Sequence, residues 1–353
     1  MQHVHAADTD AALYAGACAA CHGDDGRGRS QEELAFSTPL PDFTDCRFAS
    51  REPDPDWFAV IHEGGPVRAF DRMMPAFRDA LAEEQIRAIL RHLRTFCTDP
   101  AWPRGEFNLP RPLYTEKAFP EDEIVVTSAI DPDGDHAVEL EYLYEKRFGP
   151  RGMIEVALPF GHREAPPGLG AADVDGRDSF GIGDVAVGYK HTVRHNLGRG
   201  NAFALGGEII LPTGSKGKGF GDDSTIFEPY VAYARLMPGD AFFQAQALAE
   251  FTVAGDKEDE AGLRVALGRT FIAGEFGRAW SPMLEVLASR DLASGADTRL
   301  DLAPQIQVSL NPRQHVLLNV GVRIPVANAG DRDTEFVVYL LWDWFDGGFF
   351  DGW

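Results

Sequence analysis

The chain has 353 residues, with 33 Lys and Arg against 55 Asp and Glu, a net charge of −22. Phosphate binding depends on Lys and Arg, so this balance argues against a nucleic-acid partner. A mean hydropathy of −0.21, with no run of about eighteen apolar residues, excludes a spanning helix but not a β-barrel, whose alternating strands average out.

Residues 1–6 lack a hydrophobic signal core, although Val4 and Ala6 fit a small-residue cleavage site. They are read as the remnant of an export segment whose signal lies upstream. Cys18-Ala19-Ala20-Cys21-His22 follows, the C-x-x-C-H pattern of covalent c-type haem attachment. Two thiols on one helical turn reach the porphyrin edge as thioethers, and His22 can then serve as the proximal iron ligand. A thioredoxin-like dithiol does not need His22, and a zinc site lacks a second close Cys/His pair. One covalent haem c is therefore expected.

Met73-Met74-Pro75-Ala76-Phe77 offers the second axial ligand. Met74, directly before the proline, is the choice, with His62 and Met73 as lesser candidates. From Leu81 to Phe96 apolar residues recur at helical spacing, Ile86, Ile89, Leu90 and Leu93 among them, so a helix is expected. Cys46 and Cys97 are not needed by haem. In an oxidising compartment they are expected to pair as a disulfide, with two free thiols as the alternative.

Together, CAACHGDDGRG, PLPDFTD, MMPAF and the terminal helix make residues 7–97 resemble the small single-haem cytochrome c family. The resemblance implies an all-α domain, His22/Met74 coordination, electron transfer with a periplasmic redox partner, and a propionate contact from Arg27. A solvated loop arginine is the plainer reading of Arg27.

Residues 98–121 carry Pro100, Pro103, Pro110, Pro112 and Pro120, which prevent helix and central strand. This stretch reads as a semi-rigid linker. The cytochrome domain is expected to dock at the barrel mouth without plugging the lumen.

From 122 to 353 the period changes to two. Leu300, Leu302, Ile306 and Val308 oppose Arg299, Asp301, Gln305 and Gln307, and Ile154, Val156, Leu158 and Phe160 oppose Glu155. About twelve such segments occur, near 123–130, 136–148, 151–162, 181–194, 201–212, 224–236, 241–253, 260–272, 278–289, 298–310, 314–325 and 333–345. Several have the roughly 9 to 11 residues a tilted membrane strand needs. Connections at 149–151, 237–240 and 311–313 are short, while 163–179, 213–223 and 290–297 are longer, as in outer-membrane barrels. The fold class is therefore two domains, an all-α cytochrome c fold followed by an all-β antiparallel up-and-down transmembrane barrel of about twelve strands. A soluble β-sandwich is the alternative.

Gly181-Ile182-Gly183-Asp184-Val185-Ala186-Val187-Gly188-Tyr189-Lys190 and Leu211-Pro212-Thr213-Gly214 resemble the outer-membrane barrel family named for the MetA pathway of phenol degradation, over most of 122–345. The terminal Phe349-Phe350-Asp351-Gly352-Trp353 resembles a barrel-assembly signal. The fusion is similar in architecture to the cytochrome–porin proteins of iron-oxidising bacteria, but their haem-flanking sequence is not evident, and iron oxidation is not carried over.

By alternation, Glu139, Glu141, Glu145, Glu155, Asp184, Glu208, Glu228, Glu250, Glu285, Asp301 and Glu335 face inward, beside Arg147, Lys190, Arg264, Arg299 and Arg323. The lumen is then either stitched by ion pairs or a cation-attracting passage. His191, His195 and His315 have no nucleophilic partner placed near them, and no hydrolytic or group-transfer site is visible. The expected location is the Gram-negative outer membrane, with outer-membrane lipid around the barrel. The function expected is electron transfer at the periplasmic face, with a small-molecule or metal-ion channel bearing a docking or redox-sensing cytochrome as the alternative.

Overall fold

The computed structural model describes residues 6–34, 39–130, 138–163, 179–216, 219–330 and 332–343. The chain divides into two units, one ending at Asn108 and one beginning at Leu109.

The first unit is helical: α1 (Ala6–Ala17), α2 (Ala19–His22), α3 (Gln31–Leu34), α4 (Cys46–Ala49), α5 (Asp54–Glu63) and α6 (Glu83–Leu93), with 3-10 turns at Gly65–Arg68 and Gly105–Phe107. The apolar stripe of α6 buries Ile86, Ile89, Leu90 and Leu93, while Arg87 and Glu83 pair one turn apart on its wet face, 3.2 Å from each other. Against it lies α1, where Tyr14 meets the rings of His92 and Phe96 at 5.0 and 5.3 Å and Asp10 holds Arg91 at 2.9 Å. Pro55 fits the first turn of α5, where no backbone donor is needed.

The second unit is a closed antiparallel barrel. Its strands are β1 (Glu123–Ile130), β2 (Val138–Phe148), β3 (Gly152–Arg163), β4 (Ser179–Ile182), β5 (Val185–Asn196), β6 (Asn201–Leu211), β7 (Thr225–Met237), β8 (Ala241–Ala254), β9 (Glu260–Arg269), β10 (Phe271–Ile272), β11 (Ala279–Asp291), β12 (Arg299–Ser309), β13 (Val316–Ala327) and β14 (Glu335–Asp343). Short β4 runs on into β5, and β10 finishes β9, so the wall has twelve staves. Each pairs with its sequence neighbour, and β1 pairs with β14 to close the ring.

Alternation decides which side chains face out. Tyr142, Ile154, Leu158, Tyr189, Leu205, Phe227, Leu263, Trp280, Leu284, Val320 and Leu340 are exposed on the outer surface, whereas Glu145, Glu155, Lys190, Gln244, Gln246, Glu285, Gln305 and Asn319 are buried inside. In water the outward set would be an unfavourable apolar girdle; in a bilayer it is the lipid-facing surface. One barrel end carries the turns at 149–151, 197–200, 238–240, 273–278 and 310–315 together with both ends of the wall. Among the described residues the opposite end carries 212–216, 219–224, 255–259, 292–298, 328–330 and 332–334. The loop expected over 163–179 lies almost entirely outside the described residues, as do the first five residues and the aromatic terminus.

The linker expected over 98–121 is not a free connector. Residues up to 108 belong to the helical unit, where Arg104 donates to Asp54 and Glu106, both at 2.7 Å. Residues 109–121 belong to the barrel unit and run through its interior. The prolines do prevent helix and strand, but an extended segment leaves its backbone donors and acceptors free, and the polar inner wall satisfies them.

Candidate haem site and barrel lumen

Cys18 precedes the single turn of α2, Cys21 lies within it and His22 ends it. Both cysteines carry free thiols. The turn is pinned from α1, since Tyr14, 1 % exposed, donates its hydroxyl to the Gly23 carbonyl at 2.7 Å. Gly23, Gly26 and Gly28 all have φ near +75°, and the reversal they make returns the chain so that Gly28 and Arg29 donate to the His22 and Cys21 carbonyls, both at 2.9 Å. A side chain at Gly26 would in addition meet the Phe96 ring at 2.6 Å.

His22 faces Phe43 with ring centroids 5.1 Å apart, and Phe43 in turn meets Phe48 and Trp57. The Arg94 guanidinium covers Trp57 at 3.8 Å. This aromatic wall escaped the sequence reading, because isolated Phe and Trp residues carry no spacing signal. Burial pushes the His22 imidazole down to about 4 and the Cys18 thiol up to about 11. At neutral pH His22 is therefore uncharged, the state a metal ligand requires. Its Nδ1 is shut off from solvent and has no hydrogen-bond partner.

Met74 is half-buried, while Met73 is 57 % exposed. The Met74 carbonyl accepts from Gly65 N at 3.0 Å, and Phe77 N donates to Ile61 O at 3.0 Å, so the loop is laced to the end of α5. Gly64, at φ +86°, permits this approach, since a Cβ there would lie 2.9 Å from the Met74 carbonyl oxygen. His62 is engaged elsewhere, its Nδ1 2.9 Å from Glu63 and its ring stacked on Phe58. Arg27 is exposed and lies 3.7 Å from Asp42 and 3.8 Å from Asp25. Cys46 and Cys97 are joined as a disulfide with Cα atoms 5.0 Å apart.

Inside the barrel, residues 109–121 form a strap. Gln244 donates to the Pro110 carbonyl at 2.9 Å, and Tyr339 to that of Arg111 at 2.6 Å. Glu285 accepts from the amides of Leu113, Tyr114 and Thr115 at 2.7 to 3.2 Å. Glu116 N donates to Gln246 at 3.0 Å, Arg264 to the Tyr114 carbonyl at 2.9 Å, and Thr192 to that of Ala118 at 2.8 Å.

Charge is matched as closely. Arg111 reaches Glu123 and Glu145 at 2.8 and 2.7 Å, Lys190 pairs with Glu116, and Lys117 pairs with Glu121. Oxygens of Glu116, Glu121 and Glu145 lie within 4.8 Å of one another, but Arg111, Lys117 and Lys190 already supply the positive charge among them. Beside Tyr114 remains a cavity of about 100 Å³, lined by Arg264, Arg299, Arg323, Glu260 and Asp301.

The family described as "Putative MetA-pathway of phenol degradation" matches residues 132–334, more than half of the chain. The chain belongs to this family. In addition, the family described as "Cytochrome C oxidase, cbb3-type, subunit III" matches residues 5–93, and such a cytochrome domain implies haem. No curated protein matches the chain. Among solved structures it is similar to the COG4313 outer membrane channel from Pseudomonas putida F1, at 13 % identity and a TM-score of 0.48, over 66 % of this chain and 99 % of that one. It is also similar to the KdgM porin in complex with disordered oligogalacturonate (12 % identity, TM-score 0.41, 63 % of this chain and 98 % of that one). The NanC porin matches at 10 % identity and a TM-score of 0.41, over 62 % of this chain and 98 % of that one.

The helical unit fits the implied group. Cys18 just before one turn and Cys21 within it are joined to no other cysteine, and beside them the neutral His22 imidazole has an unpartnered buried nitrogen.

Proposed function

We propose that the protein is an outer-membrane c-type cytochrome that exchanges electrons at the periplasmic face, with the barrel as its anchor. In this reading Cys18 and Cys21 would hold one haem through thioethers, and His22 and Met74 would ligate its iron. The bound haem supplies a one-electron couple whose potential a thioether ligand raises. The chain's own part is to keep His22 neutral, to hold the ligand loop on α5 and to wall the site with Phe43 and Trp57.

The observation that carries the anchor reading over the channel reading is the strap, because residues from ten strands bind it inside the lumen where a channel needs free passage. Both ends of the wall lie at the short-turn end, which is the periplasmic side in barrels of this kind. The partner on that side is a periplasmic redox protein.

The test is conductance of the haem-loaded full chain in planar bilayers. The anchor reading expects none above background, with steady conductance only after residues 111–120 are removed. Equal conductance by both proteins would favour the channel.

A further inference from the structure

Alternation turns three arginines to the outer face at the short-turn end, along the arc from β5 to β9. Arg194 stands opposite Phe203, between the buried Ala202 and Ala204. Arg235 follows the buried Ala234. Arg269 follows Gly268, which faces in, since a Cβ there would lie 2.4 Å from the buried Phe242. Arg199 and Arg278 lie in the adjoining turns, and all five are exposed.

Register makes the first three a row. Through Phe203, Arg194 is in line with Tyr233, two residues before Arg235. Through Phe243, Arg235 is in line with Leu267, two residues before Arg269. A step of two residues toward the turn for every two strands is the kind of stagger by which tilted strands hold a row at one height.

The partners of these arginines set them apart. Inside the wall Arg111, Lys190, Arg299 and Arg323 all pair with carboxylates. Among the described residues Arg194, Arg199, Arg235 and Arg278 have no side-chain hydrogen bond or ion pair, and Arg269 only covers the Phe271 ring at 4.9 Å. Over 194–203, 233–243 and 267–280 five arginines stand against two acids, Asp240 and Glu275, in a chain of 33 cations and 55 acids. Beside them the apolar residues Val193, Leu267, Phe271 and Trp280 are exposed and belong to the lipid-facing surface. The guanidinium groups therefore stand where acyl chains give way to headgroups. Such a side chain lays its stem along the apolar surface and carries its charge to the interface, where an anion satisfies it.

The geometry points to a docking surface for anionic phospholipid, of the phosphatidylglycerol type, in the leaflet on the short-turn side. Its phosphate offers oxygens that a guanidinium takes two at a time, and its acyl chains continue along the girdle. Clusters of cations beside a membrane attract such lipids. The surface goes beyond the electron-transfer reading, which enters only in calling that leaflet periplasmic.

An equimolar mixture of phosphatidylglycerol and phosphatidylcholine is added to the haem-loaded full chain in detergent, and retained lipid is counted by native mass spectrometry. The wild type should retain phosphatidylglycerol about tenfold over phosphatidylcholine. Arg235→Gln/Arg269→Gln should bring the ratio close to one, and either single substitution should lower it in the same direction if the pair does not fold. Arg290→Gln, altered at an exposed arginine at the other end of β11, should retain lipid as the wild type does. Inorganic phosphate in excess should displace none of it. Displacement by phosphate would mean that the arginines bind the ion without the lipid, and would overturn the proposal. Equal retention of the two lipids by the wild type would overturn it as well, and would leave the row to an acidic protein partner.

Discussion

Thr115 donates both its amide and its hydroxyl to one oxygen of Glu285, at 2.7 and 2.6 Å. The same carboxylate takes the amides of Leu113 and Tyr114, so one wall residue fixes the bend of the strap at residues 113–115. Leaving a buried donor unsatisfied costs roughly 1 to 3 kcal/mol. Glu285→Ala should therefore speed hydrogen exchange at the three amides by about tenfold or more, while exchange in the wall changes little. Unchanged exchange at Leu113 and Thr115 would show that the strap does not depend on this anchor.

The loop holding Met73 and Met74 yields a spectroscopic prediction. Met74→Ala should abolish the ferric sulfur-to-iron absorption band and lower the reduction potential, because a thioether ligand raises it. Met73→Ala should leave both unchanged, in keeping with its exposure. Loss of the band in Met73→Ala and its survival in Met74→Ala would reverse the assignment.

Cys46 and Cys97 close a loop with a sequence separation of 51. Chain entropy puts the stabilisation from such a bridge at about 4 kcal/mol, and measured values are often nearer 2. Cys46→Ser/Cys97→Ser should lower the denaturant midpoint of the helical unit, followed by haem absorption. Mass analysis without reduction should find the linked peptides; free alkylation of both thiols would refute the bridge.

Much of this architecture could be read from residues alone. The C-x-x-C-H run and its flanks pointed to a cytochrome domain, and the family match over residues 5–93 agrees with it. Period two in β12, with Asp301 and Gln305 facing in and Ile306 facing out, states a half-wet strand. Glu145, Glu155, Glu228 and Glu285, placed inward for the same reason, are buried.

The stretch 98–121 was read as a linker because its five prolines mark extended chain and say nothing about what surrounds it. A signal was present all the same. Arg111, Glu116, Lys117 and Glu121 are charges of both signs in a short apolar-flanked stretch, and an acid-rich lumen needs cations. What the sequence could not supply was register, which alone brings Arg194, Arg235 and Arg269 into one row.

The reading as an anchored cytochrome is tested most directly by electron transfer across oriented proteoliposomes. The bilayer core is about 30 Å thick, too far for one hop from a single haem at one face. With a membrane-impermeant reductant added on the cytochrome side and an impermeant acceptor trapped on the other, the haem should reduce fully and the trapped acceptor should stay oxidised. Reduction of the trapped acceptor, at a rate that depends on His22 and Met74, would contradict the account.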